Sequence, residues 1–290
     1  MVQSSRLRPR ASGGARIKAV MRRLSIALLA CSWLPAAELQ IDTPTFEVPA
    51  YVMERLSASD KILFEKLSRV SIEGIWSQLT AKGYEHCFIN ELEPIHPDRR
   101  LVGRARTIRY LPTRPDVREK IYSGRKQLNY ISAEEAEPGD VLVFDSGGDT
   151  RSAVSGDVTT TRFLVRGGAG MIIDGGMRDV PELAGMPMQV FMRRGQAAAV
   201  SPNLMSVDYQ VPVRIGNVTV IPGDILLGDR HGILVIPSAL AGEMVDKALA
   251  NDALHEFQRK LLLEGRSIYG VYPPNDEVRK EFEQYKRDQR

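Results

Sequence analysis

The sequence predicts a layered α/β protein with a mixed sheet, and three observations carry that prediction. Short apolar runs bounded by turn residues alternate with helix-compatible stretches through the middle of the chain, as in α/β folds. Two of those runs, VLVFD and GMIID, end in glycine-rich turns. From MQVFM onward the runs follow one another without intervening helices, which argues against a simple doubly wound sheet and for mixed α/β/α layering.

Composition allows such a domain. The chain has 290 residues, 43% hydrophobic and 26% charged, enough to bury a full core. Its net charge of +3 comes from one end: residues 1–23 hold seven basic residues, from Arg6 to Arg23, and no acid, so residues 24–290 carry −4. A basic nucleic-acid footprint is therefore not expected of the folded part. Of the two cysteines, Cys31 lies near the N-terminus and Cys87 stands beside Phe88 and Ile89, where a small buried thiol is expected.

Residues 1–37 read as a leader. Met21-Arg22-Arg23 precede LSIALLACSWLPAAE, a basic start, a short apolar run and a small-residue cleavage zone near Ala36 or Ala37, with Met21 as a possible true start. The apolar run is too short to span a bilayer, so no membrane span is expected in the mature chain. Export to the periplasm or exterior follows from this reading. The alternatives are an organellar transit peptide, a lipid anchor at Cys31, and an extension on a cytoplasmic protein.

The remaining elements follow in order. Residues 38–64 form a connector, broken at Pro44 and Pro49, and a helix that Ser59 and Asp60 can cap ahead of KILFEKLSRV. SIEGIWSQLTAKG continues helical spacing to Gly83, with Trp76 expected in the core. CFINELEPI and LVGRARTIRYLP read as strands, and residues 114–136 as helix. After the Pro138-Gly139-Asp140 turn, VLVFD is a buried strand, Arg151 to Arg166 is helix-compatible, and GMIID is a strand ending at Gly175-Gly176. Asp179 to Ala184 is a short helix. MQVFM, VPVRI, VTVIP, DILLGD and GILVIP are further strands, and Ser238 to Leu263 is the last helix, before a polar tail at 271–290.

Chemistry concentrates where the two glycine-rich turns lie. Ligands of α/β folds gather beyond the C-terminal ends of strands, and Asp149, Asp157, Asp174, Arg178 and Asp179 fall in or between these turns. Acids and an arginine there can hold a metal and an anionic substrate; ordinary turn and capping chemistry is the alternative. GGAG at 167–170 precedes its strand and lacks the third glycine of a dinucleotide loop. The four histidines show no zinc-ligand spacing. No lysine lies within residues 127–245, which disfavours a Schiff base in this region.

These residues resemble one family, the 4-hydroxy-4-methyl-2-oxoglutarate aldolases and regulator of ribonuclease activity A proteins. Asp157 is followed, after a gap of twenty residues, by Arg178-Asp179. PGDVLVFDSGGD, SGD and GAGMIIDGGMRDVPEL fit the same text, as do LVGRARTI before it and VPVRIGNVTVIPGDILLGDRHGILVIP after it. The likeness spans residues 65–270; Arg230-His231 depart from the family's usual turn.

The resemblance implies a layered swivelling β/β/α domain assembled as trimers or hexamers. It implies a lyase that cleaves 4-hydroxy-2-oxo acids to pyruvate and decarboxylates oxaloacetate with a divalent metal, Mg2+ or Mn2+. Asp179 would contact the metal and Asp157 would reach it through water. Arg178 would bind the substrate's carboxylate or keto oxygen, and Gly156, Asp157, Val158 and Thr159 would offer backbone amides to the carboxylate. Glu256 is the nearest candidate for a metal ligand given by a neighbouring subunit. An all-oxygen ligand set suits magnesium or manganese. The alternative function is a non-catalytic protein that restrains a ribonuclease. A third name attached to such sequences, a menaquinone methyltransferase, finds no methyl-donor glycine motif here.

Overall fold

The computed structural model describes residues 46, 48–122, 127–200 and 202–289, all within one unit, Thr45–Arg290. The leader at 1–37 lies outside the described residues. The chain enters through three helices: α1 (Ala50–Glu54), α2 (Ala58–Leu67) and α3 (Ile72–Thr80). Two short strands, β1 (Phe88–Ile89) and β2 (Glu93–Pro94), precede the long strand β3 (Leu101–Pro112). Helices α4 (Pro115–Tyr122) and α5 (Leu128–Glu134) lead to β4 (Asp140–Asp145). Then α6 (Asp157–Val165), β5 (Gly170–Met177), α7 (Val180–Ala184) and β6 (Gln189–Gly195) alternate. Strands β7 (Leu204–Tyr209), β8 (Val213–Ile215), β9 (Val218–Val220), β10 (Ile225–Asp229) and β11 (Gly232–Ile236) follow, then helices α8 (Ser238–Leu263) and α9 (Asp276–Asp288).

The main sheet is mixed, in the order β1-β11-β10-β3-β4-β5-β6-β2, with β7 on the far half of β3. Its centre, β3-β4-β5-β6, is parallel, and the flanking pairs are antiparallel. Alternation along each strand sorts side chains to two faces. Val141 and Val143 of β4 join Ile172, Leu226 and the β8–β9 hairpin on one face. Leu142 and Phe144 face α5, α6 and α7 on the other, through residues such as Phe163 and Leu183. Toward the β10–β11 edge the same side is covered by α2, α3 and α8. The layering is thus small sheet, main sheet, helices: the mixed α/β class holds, but the α/β/α layering read from the run order is corrected, because the β8–β9 hairpin and not a helix covers the second face, as the resemblance implies.

Several local expectations are corrected. The second helix begins one residue before Ser59, at Ala58: Ser57 is the cap, its hydroxyl accepting the Asp60 amide at 3.1 Å. Trp76 is 43% exposed, because α3 buries Ile72, Ile75 and Leu79 instead. The helix expected from Arg151 starts only at Asp157, and Gly175-Gly176 belong to β5. Strand β7 is an element that the sequence reading lacks. The polar C-terminal segment holds α9, whose Val278 and Phe282 pack on Phe257, Leu261 and Val271. Among the described residues, no helix is long and apolar enough to cross a membrane.

Candidate active site

The site forms where β5 leaves its ladder. Pairing with β6 shifts register between Ile173 and Gly176. The loop before α6 takes the freed edge: Val154 donates its amide to the Gly176 carbonyl at 3.1 Å, and Arg178 donates its amide to the Ser155 carbonyl at 3.1 Å. The approach is too close for a side chain, since a Cβ on Gly176 would stand 2.6 Å from the Ser152 carbonyl oxygen. Two segments far apart in sequence are thereby bound together just before Asp157 and just before Asp179.

The turn at Asp179 completes the junction. Asp179 sits at φ 56°, a left-handed conformation uncommon outside glycine. Its Oδ2 accepts the Asp157 amide at 3.1 Å, and Oδ1 lies 3.9 Å from Arg178 Nε. Asp157 Oδ1 accepts the Val158 amide at 2.7 Å. A Cβ on Gly156 would run into the Asp179 carboxylate. Two carboxylates therefore occupy amides at the start of α6, where orphan N–H groups and the helix dipole favour negative charge.

All six motif residues, Gly156, Asp157, Val158, Thr159, Arg178 and Asp179, line one cavity of about 470 Å³. Asp149 and Asp174 do not line it. Asp149 is held by Arg151, whose hydrogen bonds keep its carboxyl below the usual carboxylate range. Asp174, only 2% exposed, pairs with Arg193 and accepts the Gly216 amide at 3.3 Å. Glu256 lines a different hollow with Arg69, Arg100 and Arg259, which shares no residue with the first. Arg230 pairs with Asp98 and His231 lies 3.9 Å from Glu73, both outside the cavity.

Asn129 and Tyr130 of α5, and Ser155, also line the cavity. Sequence reasoning did not single them out. Ser155 opens the quoted SGD but has no role of its own in the sequence reading; Asn129 lies in no motif.

The donor set can be tested against a metal. Asp157 and Asp179 present carboxylate oxygens to one cavity with no histidine or cysteine in its lining. Among the described residues no three His, Cys, Asp or Glu side chains group for a metal. Two carboxylates completed by water is an arrangement that a hard divalent cation accepts, so these residues fit one.

The family model described as RraA-like, Aldolase/RraA, matches residues 65–235. The chain is 30% identical over 147 residues to a 4-hydroxy-4-methyl-2-oxoglutarate aldolase of Thermus thermophilus, covering 49% of this chain and 79% of that one. It is 28% identical over 218 residues to the protein DlpA of Legionella pneumophila, covering 74% of this chain and 34% of that protein. Among solved structures it is similar to RraAS2 of Streptomyces coelicolor, described as an unusual member of the RNase ES inhibitor RraA protein family. That match has a TM-score of 0.64 and 30% identity, covering 69% of this chain and 98% of the other.

Proposed function

The chain belongs to the RraA-like family, and from that premise we propose that it is a divalent-metal-dependent lyase cleaving 4-hydroxy-2-oxo acids to pyruvate, with oxaloacetate decarboxylation by the same chemistry. The observation that carries the reading is the convergence of Asp157, Arg178 and Asp179 on one cavity at the start of α6.

Cleaving a carbon–carbon bond next to a 2-oxo group leaves negative charge on an enolate. Arg178 brings a guanidinium to the cavity, suited to bind the substrate's carboxylate or keto oxygen. The amides of Gly156 to Thr159 suit the carboxylate, which would replace Asp179 and Asp157 on the Asp157 and Val158 N–H groups. Asp179 would hold the metal directly and Asp157 through water, with Glu256 of a neighbouring copy as a further ligand in a trimer or hexamer. Magnesium or manganese there supplies Lewis-acid stabilisation of the developing charge. Asp157 would hold the water through which the substrate's hydroxyl proton leaves, its carboxylate being the base at that end.

The test is pyruvate release from 4-hydroxy-4-methyl-2-oxoglutarate and from oxaloacetate, with magnesium, manganese or chelator. Metal-dependent release that disappears in Asp179→Ala supports the reading. The rival is a ribonuclease-restraining protein, favoured by the likeness to RraAS2. Absence of turnover together with ribonuclease inhibition would put that rival first. Export, if the leader acts as one, would separate the chain from a cytoplasmic ribonuclease, and a mature N-terminus near Ala37 would support it.

A further inference from the structure

A second cavity, of about 690 Å³, opens beyond the C-terminal ends of β3 and β4 and shares no lining residue with the site cavity. Ligands of α/β folds gather at such strand ends, and the volume is that of a small-molecule site. Arg109 of β3 and Arg214 of β8 both line it. Asp145 brings the two together. Arg109 and Asp145 are partners in the β3–β4 register, and Arg214 donates its backbone amide to Asp145 Oδ2 at 3.1 Å. The Arg109 guanidinium donates to the carbonyl of Pro212, two residues before Arg214.

Donors at this cavity outnumber acceptors. Its two acids are already engaged: Asp145 accepts the amides of Gly147 and Arg214, and Asp149 is held by Arg151. Neither acid pairs with Arg109 or Arg214. A guanidinium carries five N–H donors. Arg109 gives one of its nitrogens to Pro212, and the Arg214 guanidinium bonds to no described residue. Two planar cations with free N–H groups suit an oxyanion, and a carboxylate matches their fork geometry. The rest of the wall includes Leu111, Pro112, Leu204 and Val213, and Leu111 is 47% exposed. A bare inorganic anion would leave that apolar wall in water, whereas a ligand with an apolar body would cover it. We propose that this cavity binds a small organic carboxylate, with the carboxylate on Arg109 and Arg214 and the apolar body against Leu111, Leu204 and Val213. The proposal does not rest on the lyase reading, since the two cavities are built from different residues.

The test titrates the full chain with phenylacetate, with its neutral analogue phenylacetamide and with inorganic phosphate, read by calorimetry. Each titration is repeated in an Arg178→Gln chain, which removes the cation of the site cavity. The expected result is that phenylacetate binds both chains, and that adding Arg214→Gln or Arg109→Gln to either weakens it about tenfold or more, the loss of a charge-assisted pair. Phenylacetamide and phosphate should bind more weakly than phenylacetate. If Arg109→Gln does not fold, because it releases β3 from Pro212, the exposed Arg214 carries the comparison alone. Absence of phenylacetate binding, or binding that disappears with Arg178→Gln and is untouched by Arg214→Gln, would overturn the proposal. Equal binding of phenylacetamide would overturn it by removing the arginines' part, and equal binding of phosphate by removing that of the apolar wall.

Discussion

The Asp179 carboxylate accepts the backbone amide of Asp157 at 3.1 Å, so two residues 22 apart in the chain share one hydrogen bond at the start of α6. Asp179 does this from a left-handed backbone conformation, φ 56°. Asparagine tolerates that conformation and keeps an acceptor oxygen, but it loses the charge. Asp179→Asn should therefore change stability by less than about 1 kcal/mol. Pyruvate release should fall about a hundredfold, the loss of roughly 3 kcal/mol of transition-state stabilisation. Melting curves and a coupled pyruvate assay check both halves, and undiminished turnover would remove Asp179 from the site.

Gly156 makes a second, steric prediction. A Cβ there meets the Asp179 carboxylate, which is not free to stay where it is. Gly156→Ala should displace that carboxylate from the place where it would hold a metal and lower turnover about ten- to hundredfold, with helix content by circular dichroism unchanged. Wild-type turnover would mean that the displaced carboxylate still reaches its working position, and would remove this steric constraint from the site.

The motif residues were legible because their text is local: Asp157 opens one helix, Arg178-Asp179 precede another, and both follow strands with glycine-rich ends. Asn129 was not legible, because only tertiary packing brings α5 to the cavity. Trp76 misled for a related reason. It falls at the margin of the stripe formed by Ile72, Ile75 and Leu79, and the lie of α3 against α8 and the sheet decides what that margin meets. Strand β7 pairs with the end of β3 only through a register shift at Arg109/Tyr110, which no alternation in sequence announces. The α9 stripe of Val278, Phe282 and Tyr285 was readable at helical spacing, but strongly polar neighbours masked it.

Two aspartates should give opposite stability responses to pH. Burial pushes the Asp224 carboxyl up. The native chain then holds that proton more tightly than the unfolded chain does. This contribution favours folding below the unfolded carboxylate range and is lost as pH rises through the native value. At neutral pH the buried charge is a cost, so Asp224→Asn, which keeps an acceptor for the Ile221 amide, should stabilise, with the gain vanishing in acid. Asp149 is held down by hydrogen bonds from Arg151, so it stabilises above the unfolded value and loses that as pH falls through the native one. Asp149→Asn should destabilise at neutral pH, by a small amount because Arg151 is 67% exposed. Urea unfolding between about pH 3 and pH 8 reads both signs. The same sign for both variants would refute the assignment.

Phe282 tests whether the C-terminal helix is part of the folded unit. Its ring lies 5.5 Å from that of Phe257, centroid to centroid, and it is 8% exposed in a small cluster of its own. That cluster joins α9 to the second half of α8 without entering the sheet's core. Phe282→Ala should cost about 3 kcal/mol, the lower end for a buried phenylalanine. The loss should show as local release of α9, not as global unfolding, because the helix is held by this cluster and by the Arg266–Glu281 ion pair, away from the sheet. Faster proteolysis within residues 276–290, with the rest of the chain intact, is the expected outcome; unchanged protection would mean that other contacts hold the helix. Glu256 adjoins Phe257 on α8, so the activity of the same variant is informative. A fall in turnover alongside α9 release would tie the C-terminal cluster to the reaction, and retained turnover would separate that cluster from the site.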